Sequence, residues 1–255
     1  MITIDSLRER PLSFSSIKEF AKSPRHYLDY INRPKTPPTD AMKLGSLVHC
    51  LMLRPELFND QFAVSPDINK RTNAGKEEWN EFCRLNEGKD VIENSDYEHA
   101  RRLVDTAMTN DNIYNAVKSC HDFEKEWSME IDDLPYRGFY DGISTDYILE
   151  VKTINDGNPK NVMSDFYKRK YHMQASLYSM SHFGLPVIYI VIETSQPYLS
   201  YVAVADDEYI KYGAKEIGRL NDLFKYCMDG NRFNSGYEFH VFGDVKISLP
   251  WSVEK

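Results

Sequence analysis

From residue 123 the chain changes character. FEKEWSMEI (123–131), YRGFYDGIS (136–144) and YILEVKTI (147–154) are short, rich in aromatic and β-branched residues, and parted only by DDLP and Thr145-Asp146. Segments of this kind predict strands, and connections this short make them a three-stranded antiparallel meander. In the first, Phe123, Trp127, Met129 and Ile131 alternate with Glu124, Glu126, Ser128 and Glu130, and Lys125 falls on the apolar side. One face of that strand is therefore polar and mostly acidic. After NDGNPK, residues 161–184 predict one long helix ended by Gly184; PVIYIVIET and YLSYVAVA predict two more strands, and 207–228 a last helix.

The first third predicts helices. Ser15 or Ser16 can cap a short helix in SFSSIKEFAKSP that stops before Pro24, and Asp40 is the expected N-cap of DAMKLGSLVHCLML, where Ala41, Leu44, Val48 and Leu51 form a core-facing stripe. GKEEWNEFCRLNEG and SDYEHARRLVDTAMTN read as further amphipathic helices. The expected architecture is a mixed α/β fold, a central mixed sheet flanked by helices. Within a single domain 1–255, it comprises a helical N-terminal region (1–121), an α/β core (122–230) and a C-terminal tail (231–255).

A chain of 255 residues can bury a core without disulfide or metal staples. No apolar run approaches the ~20 residues that cross a bilayer, and the first residues lack a basic-then-apolar leader, so the expected setting is the cytoplasm, away from membranes. Cys50, Cys83, Cys120 and Cys227 form no CxxC pair and read as free thiols. The net charge of -8 weighs against tight nonspecific binding of nucleic acid, although a site that gathers carboxylates around a cation is itself acidic. P-loop, dinucleotide-binding glycine and HExxH patterns are absent from the sequence.

The chemistry-bearing pattern is Asp141 near the end of the second strand and Glu150-Val151-Lys152 on the third. Residues two apart on a strand share a face, so Glu150 and Lys152 point together while Val151 faces the core and offers its carbonyl between them. Two carboxylates and a carbonyl suit a hard divalent cation, and an ammonium beside the attacking water can orient it and offset developing charge. D-x8-ExK alone occurs often by chance, as a surface hairpin carrying an exposed ion pair. Downstream, Tyr171, Gln174 and Tyr178 share one helix face, where the tyrosines could equally be half-buried core aromatics.

With that context, RGFYDGISTDYILEVKTINDG followed by YHMQASLY resembles the restriction-endonuclease-like core of the PD-(D/E)xK nuclease superfamily, with its QxxxY element on the next helix. SSIKEFAKSPRHYLDY and PPTDAMKLGSLVHCLMLRPELF resemble more narrowly the RecE (exonuclease VIII)-like phage exonucleases. The resemblance implies an exonuclease that uses Mg²⁺ or Mn²⁺ and cuts duplex DNA from its ends, 5′ to 3′, in recombination. It also implies a ring-shaped homo-oligomer and a single-strand annealing protein as partner. Residue by residue, it places Asp141, Glu150, the Val151 carbonyl and His49 at the metal, and Lys152 as the catalytic lysine. Glu126 falls on the glutamate of the first core strand, with Glu124 as rival, and Gln174 and Tyr178, with Tyr171 on the same helix face, lie against the DNA. Lys168 and Arg169, in a basic run with Lys170, are candidate phosphate contacts, although such runs are more often only solvated. Relatives often carry a basic residue soon after the core aspartate, where this chain has Gly142-Ile143, and the four-cysteine pattern of iron–sulfur nucleases of the AddB type is missing.

Overall fold

The structure, a computed structural model, describes residues 4–34 and 36–237. The chain opens with helices α1 (Ile4–Glu9), α2 (Phe14–Phe20), α3 (Pro24–Asn32) and α4 (Asp40–Leu53). A short helix α5 (Phe58–Gln61) then leads into β1 (Phe62–Val64), α6 (Asn73–Leu85), β2 (Asp90–Ile92), α7 (Asn94–Met108) and α8 (Asp111–Lys118). Caps decide where these helices begin. Ser13, not Ser15 or Ser16, caps α2, in a reciprocal box with Ser16, because its extended backbone lets the hydroxyl turn back on the first turn. Thr39, not Asp40, caps α4 by accepting from the Met42 N–H, and Asp40 lies inside the first turn. Ala41 is exposed; the buried side of α4 is built from Leu47, Val48, Cys50, Met52 and Leu53. The region expected to be helical also holds a two-stranded parallel sheet, β1 with β2. Runs of three residues are too short for their periodicity to show.

The main sheet has the order β3 (Asp122–Ile131), β4 (Leu134–Ile143), β5 (Ile148–Ile154), β6 (Val187–Glu193), β7 (Ser200–Val204). β3, β4 and β5 form the expected antiparallel meander; β6 runs parallel to β5, and β7 antiparallel to β6. Helices α9 (Pro159–Lys168) and α10 (Tyr171–Ser181) connect β5 to β6, and α11 (Asp207–Gly230) follows β7. Both sheet faces are covered. Val187, Tyr189 and Val191 join a core with α2, α3, α10 and α11; Ile188, Ile190 and Ile192 join a second core with α4, α7 and α8. β6 is therefore apolar or aromatic from Val187 to Ile192, as a strand buried on both sides must be, and only its last residue, Glu193, is charged. Among the described residues no helix is long and apolar enough to cross a membrane.

Two departures from simple periodicity shape the site. The expected single helix at 161–184 is broken at Lys170, which adopts a left-handed conformation (φ 59°) between α9 and α10. That conformation is unfavourable for a residue with a Cβ. It is held by the ammonium of Lys170 on Glu216 of α11, whose other carboxylate oxygen accepts from His172 Nε2 at 2.7 Å. The break re-aims α10, so that Gln174 and Tyr178 run beneath β5.

The second departure lies in β3 and β4. Trp127 packs in the core under α10, whereas Phe123, four residues earlier, packs on the α4 side. In β4, Tyr140 and Ile143 share a core although they are three residues apart. The alternation therefore slips once in each strand. It does so at Glu124 (φ 51°) and Asp141, the facing pair skipped between the Phe123–Gly142 and Lys125–Tyr140 partners. A glutamate at positive φ is uncommon, and such strain gathers at functional sites.

Candidate active site

Asp141 stands where β4 and β5 part. Their ladder runs through Ile143–Ile148 and Gly142–Leu149 and then stops. Beyond it the Asp141 carboxylate replaces the partner strand, its Oδ2 accepting the Val151 N–H at 2.7 Å. Val151 faces the core at 1% exposure, as the alternation required, while its carbonyl accepts from His49 Nε2 at 2.9 Å. With Nε2 as the donor, the other ring nitrogen, Nδ1, lies 3.6 Å from Asp141 Oδ2. In a neutral ring both atoms carry lone pairs, and a proton or a metal cation between them would relieve that opposition. An imidazole that ligates through one nitrogen while donating from the other to a backbone carbonyl is the usual arrangement of metal-binding histidines.

His49, Glu124 and Asp141 each bring a ligand atom to within 4.8 Å of the others. Glu124 is thus the β3 carboxylate at this cluster. Glu126, the residue favoured from the sequence, lies further along the ribbon opposite Phe139, exposed and outside the cluster. The slip at Glu124 is the cause, since period-two reading treats the two glutamates as equivalent. Although Glu124 is exposed, desolvation by the surrounding cleft, and then the neighbouring Asp141, push its carboxyl above its usual range. The Val151 carbonyl, expected as a ligand, accepts from His49 and holds the ring in place.

Glu150 and Lys152 approach the same gap from the α10 side. Glu150 is 1% exposed, and its Oε2 accepts from Lys152 Nζ at 2.6 Å and from Gln174 Nε2 at 3.1 Å; Gln174 also donates to Tyr178 Oη at 2.9 Å. Burial, and then Asp141, push the Glu150 carboxyl up to about 7 despite the adjacent ammonium. Burial alone would lower the Lys152 ammonium, but the carboxylates of Glu150 and Asp141 reverse this and raise it. The Lys152 ammonium also lies over the Tyr171 ring, Nζ 4.9 Å from its centroid. Glu150 Oε1 and Gln174 Oε1 are buried without a protein donor. A buried acceptor without a donor is costly, so the set fits a cation-binding centre. Oxygen ligands with one imidazole suit Mg²⁺ or Mn²⁺.

Two clefts meet at His49. One, of about 510 Å³, is lined by Arg54, Gln61, Glu124 and Phe139; the other, of about 650 Å³, by Lys152, Asn155, Arg169 and Tyr171. Of the basic run, Arg169 bonds Asp165 at 2.6 Å and Lys170 pairs with Glu216, while Lys168 is exposed at the end of α9. The missing basic residue after Asp141 also has a structural reason. A Cβ on Gly142 would lie 3.0 Å from Cys120 Sγ and 3.3 Å from the Phe123 ring, and Ile143 is fully buried. Phe139 went unremarked in the sequence, where one aromatic in a strand signals packing.

A mixed sheet whose strands part over an aspartate, with an ExK motif on the next strand and a glutamine-tyrosine pair beneath, defines the nuclease fold of the PD-(D/E)xK type. The model of a family described as a PDDEXK-like domain of unknown function (DUF3799) matches residues 13–236, and the chain belongs to that family. Among solved structures, one described as "Putative exonuclease" from Eubacterium rectale is similar over 96% of this chain and 93% of its own, with a TM-score of 0.64 at 11% identity. A structure named SSO0001 covers 74% of this chain and 95% of its own at 15% identity, with a TM-score of 0.29. No curated protein matches the sequence.

Proposed function

We propose that this chain is a divalent-metal-dependent deoxyribonuclease that hydrolyses phosphodiester bonds from the ends of duplex DNA, 5′ to 3′, in recombination or repair. The observation that carries the reading is the gap between β4 and β5, where Asp141, Glu150, Lys152 and His49 converge from both sides of the sheet. Asp141, Glu124 and His49, with Glu150 close by, would hold Mg²⁺ or Mn²⁺. That ion would supply Lewis-acid polarisation of the phosphate and a more acidic water. The imidazole tilts the choice toward Mn²⁺.

The chain's own groups do the rest. Lys152, kept as an ammonium beside Glu150, offsets charge building on the phosphate oxygens and orients the incoming water. Gln174 holds the Glu150 carboxylate in place and Tyr178 holds Gln174. Arg169 and Tyr171 line the approach of the strand, and Lys168 extends the cationic rim. The reading extends to a ring-shaped homo-oligomer acting in the cytoplasm with a single-strand annealing protein, both drawn from the family resemblance. Light scattering of the purified chain tests the ring.

The deciding experiment digests a linear duplex labelled separately at each end, with Mg²⁺, Mn²⁺ or EDTA, beside a covalently closed circle. Metal-dependent loss of the linear DNA alone is expected, with the 5′ label released first. Cutting of the circle would make the protein an endonuclease of the same fold, and no cutting with any divalent ion would make it a DNA- or protein-binding relative.

A further inference from the structure

Phe139 is 50% exposed and belongs to neither hydrophobic core. Single exposed aromatics are common and carry nothing by themselves; here the place decides. Phe139 precedes Asp141 by two residues on β4 and lines the cleft that also holds His49 and Glu124, two of the three residues gathered at the candidate metal cluster. Its neighbour across the ribbon is Glu126, also exposed. Lys152 and Arg169 line the cleft on the β5 side, and Arg54 and Glu124 line the cleft beside Phe139. The half-exposed Phe139 ring offers that second cleft a flat face on which a nucleobase can stack.

We propose that Phe139 is the stacking platform for the nucleobase next to the scissile phosphate, so that the DNA backbone follows the Lys152–Arg169 side and the base turns onto the acidic ribbon. This inference rests on the nuclease reading of the same site. Phe139 thereby positions the scissile bond, and the reacting atoms stay with the groups already described.

The test uses the full chain and its Phe139→Ala, Phe139→Leu and Phe139→Trp variants. Single strands carrying 2-aminopurine at successive positions are bound in Ca²⁺, and cleavage kinetics are followed in Mg²⁺ or Mn²⁺. Wild type and the tryptophan variant should quench 2-aminopurine at one position, and Phe139→Ala should not. Phe139→Ala should raise KM roughly ten- to hundredfold with kcat little changed, the range expected for one stacked base. Tryptophan should restore KM and leucine only in part. An abasic site at the quenched position should weaken wild type but leave Phe139→Ala unaffected. An exposed ring contributes little to stability, so the unfolding midpoint of Phe139→Ala should match wild type. Equal quenching and equal KM in wild type and Phe139→Ala would overturn the proposal while leaving the nuclease reading intact. Phe139-dependent quenching without cleavage under any metal would retain the platform and remove the nuclease reading; absence of both would remove both.

Discussion

Lys152→Ala should destabilise the metal-free protein by an amount that depends on pH, because it strands the carboxylate of Glu150. That side chain is 1% exposed, and its carboxyl sits at about 7 even with the Lys152 ammonium 2.6 Å away. Against an ordinary 4.5, the elevation disfavours the ionised form in the fold by about 3 kcal/mol. Removing the ammonium adds the cost of an unpaired buried charge, about 3–5 kcal/mol, unless the carboxylate takes up a proton. The folded state binds this proton more tightly than the unfolded chain does. The penalty is therefore absent below the unfolded value near 4.5 and grows as pH rises through about 7. In the variant the folded value rises further, and the window extends upward with it.

Relative to wild type, the loss should be about 1 kcal/mol near pH 5, from one hydrogen bond, and about 2 kcal/mol near pH 8, because each pH unit above the wild-type value of about 7 adds about 1.4 kcal/mol while the variant's carboxyl keeps its proton. Urea unfolding in EDTA, followed by circular dichroism at both pH values, measures the difference. A Glu150→Gln/Lys152→Met double variant should recover most of the loss at the higher pH. Equal destabilisation of Lys152→Ala at both pH values would refute the argument. Activity of this variant has to be measured where it is folded.

Three further perturbations separate the other claims. Glu124→Gln should weaken Mn²⁺ binding by roughly ten- to hundredfold in calorimetry, and Glu126→Gln should leave it unchanged; the reverse order would restore the sequence-based choice. Glu216, held down to about 2 by hydrogen bonds from His172 and Lys170, contributes on the order of 3 kcal/mol that is present above the unfolded value near 4.5 and lost as pH falls toward 2. Thermal melts of wild type and Glu216→Gln should therefore differ at neutral pH and converge in acid. Gly138→Ala should cost about 1–3 kcal/mol in denaturant melts, since its Cβ would lie 2.5 Å from the Trp127 ring; an unchanged midpoint would mean that the ring moves freely.

Local pattern was enough to establish the three-stranded meander, the common face of Glu150 and Lys152, the inward turn of Val151, and the helix carrying Gln174 and Tyr178. Each follows from the two- or 3.6-residue repeat that backbone geometry imposes. The family resemblance pointed to His49 on α4, and its hydrogen bond to Val151 spans 102 positions of sequence, a contact that no local repeat encodes. Tertiary structure decided between Glu124 and Glu126, because the slip at Glu124 follows from the parting of two paired strands and leaves the composition of either unchanged. It also broke the helix at Lys170, where Glu216 of a distant helix holds a left-handed residue, and it turned Lys170 to Glu216 while leaving Arg169, paired with Asp165, exposed on the cleft. Periodicity reports which side of an element meets apolar surroundings. Which polar groups meet across elements depends on how the elements pack.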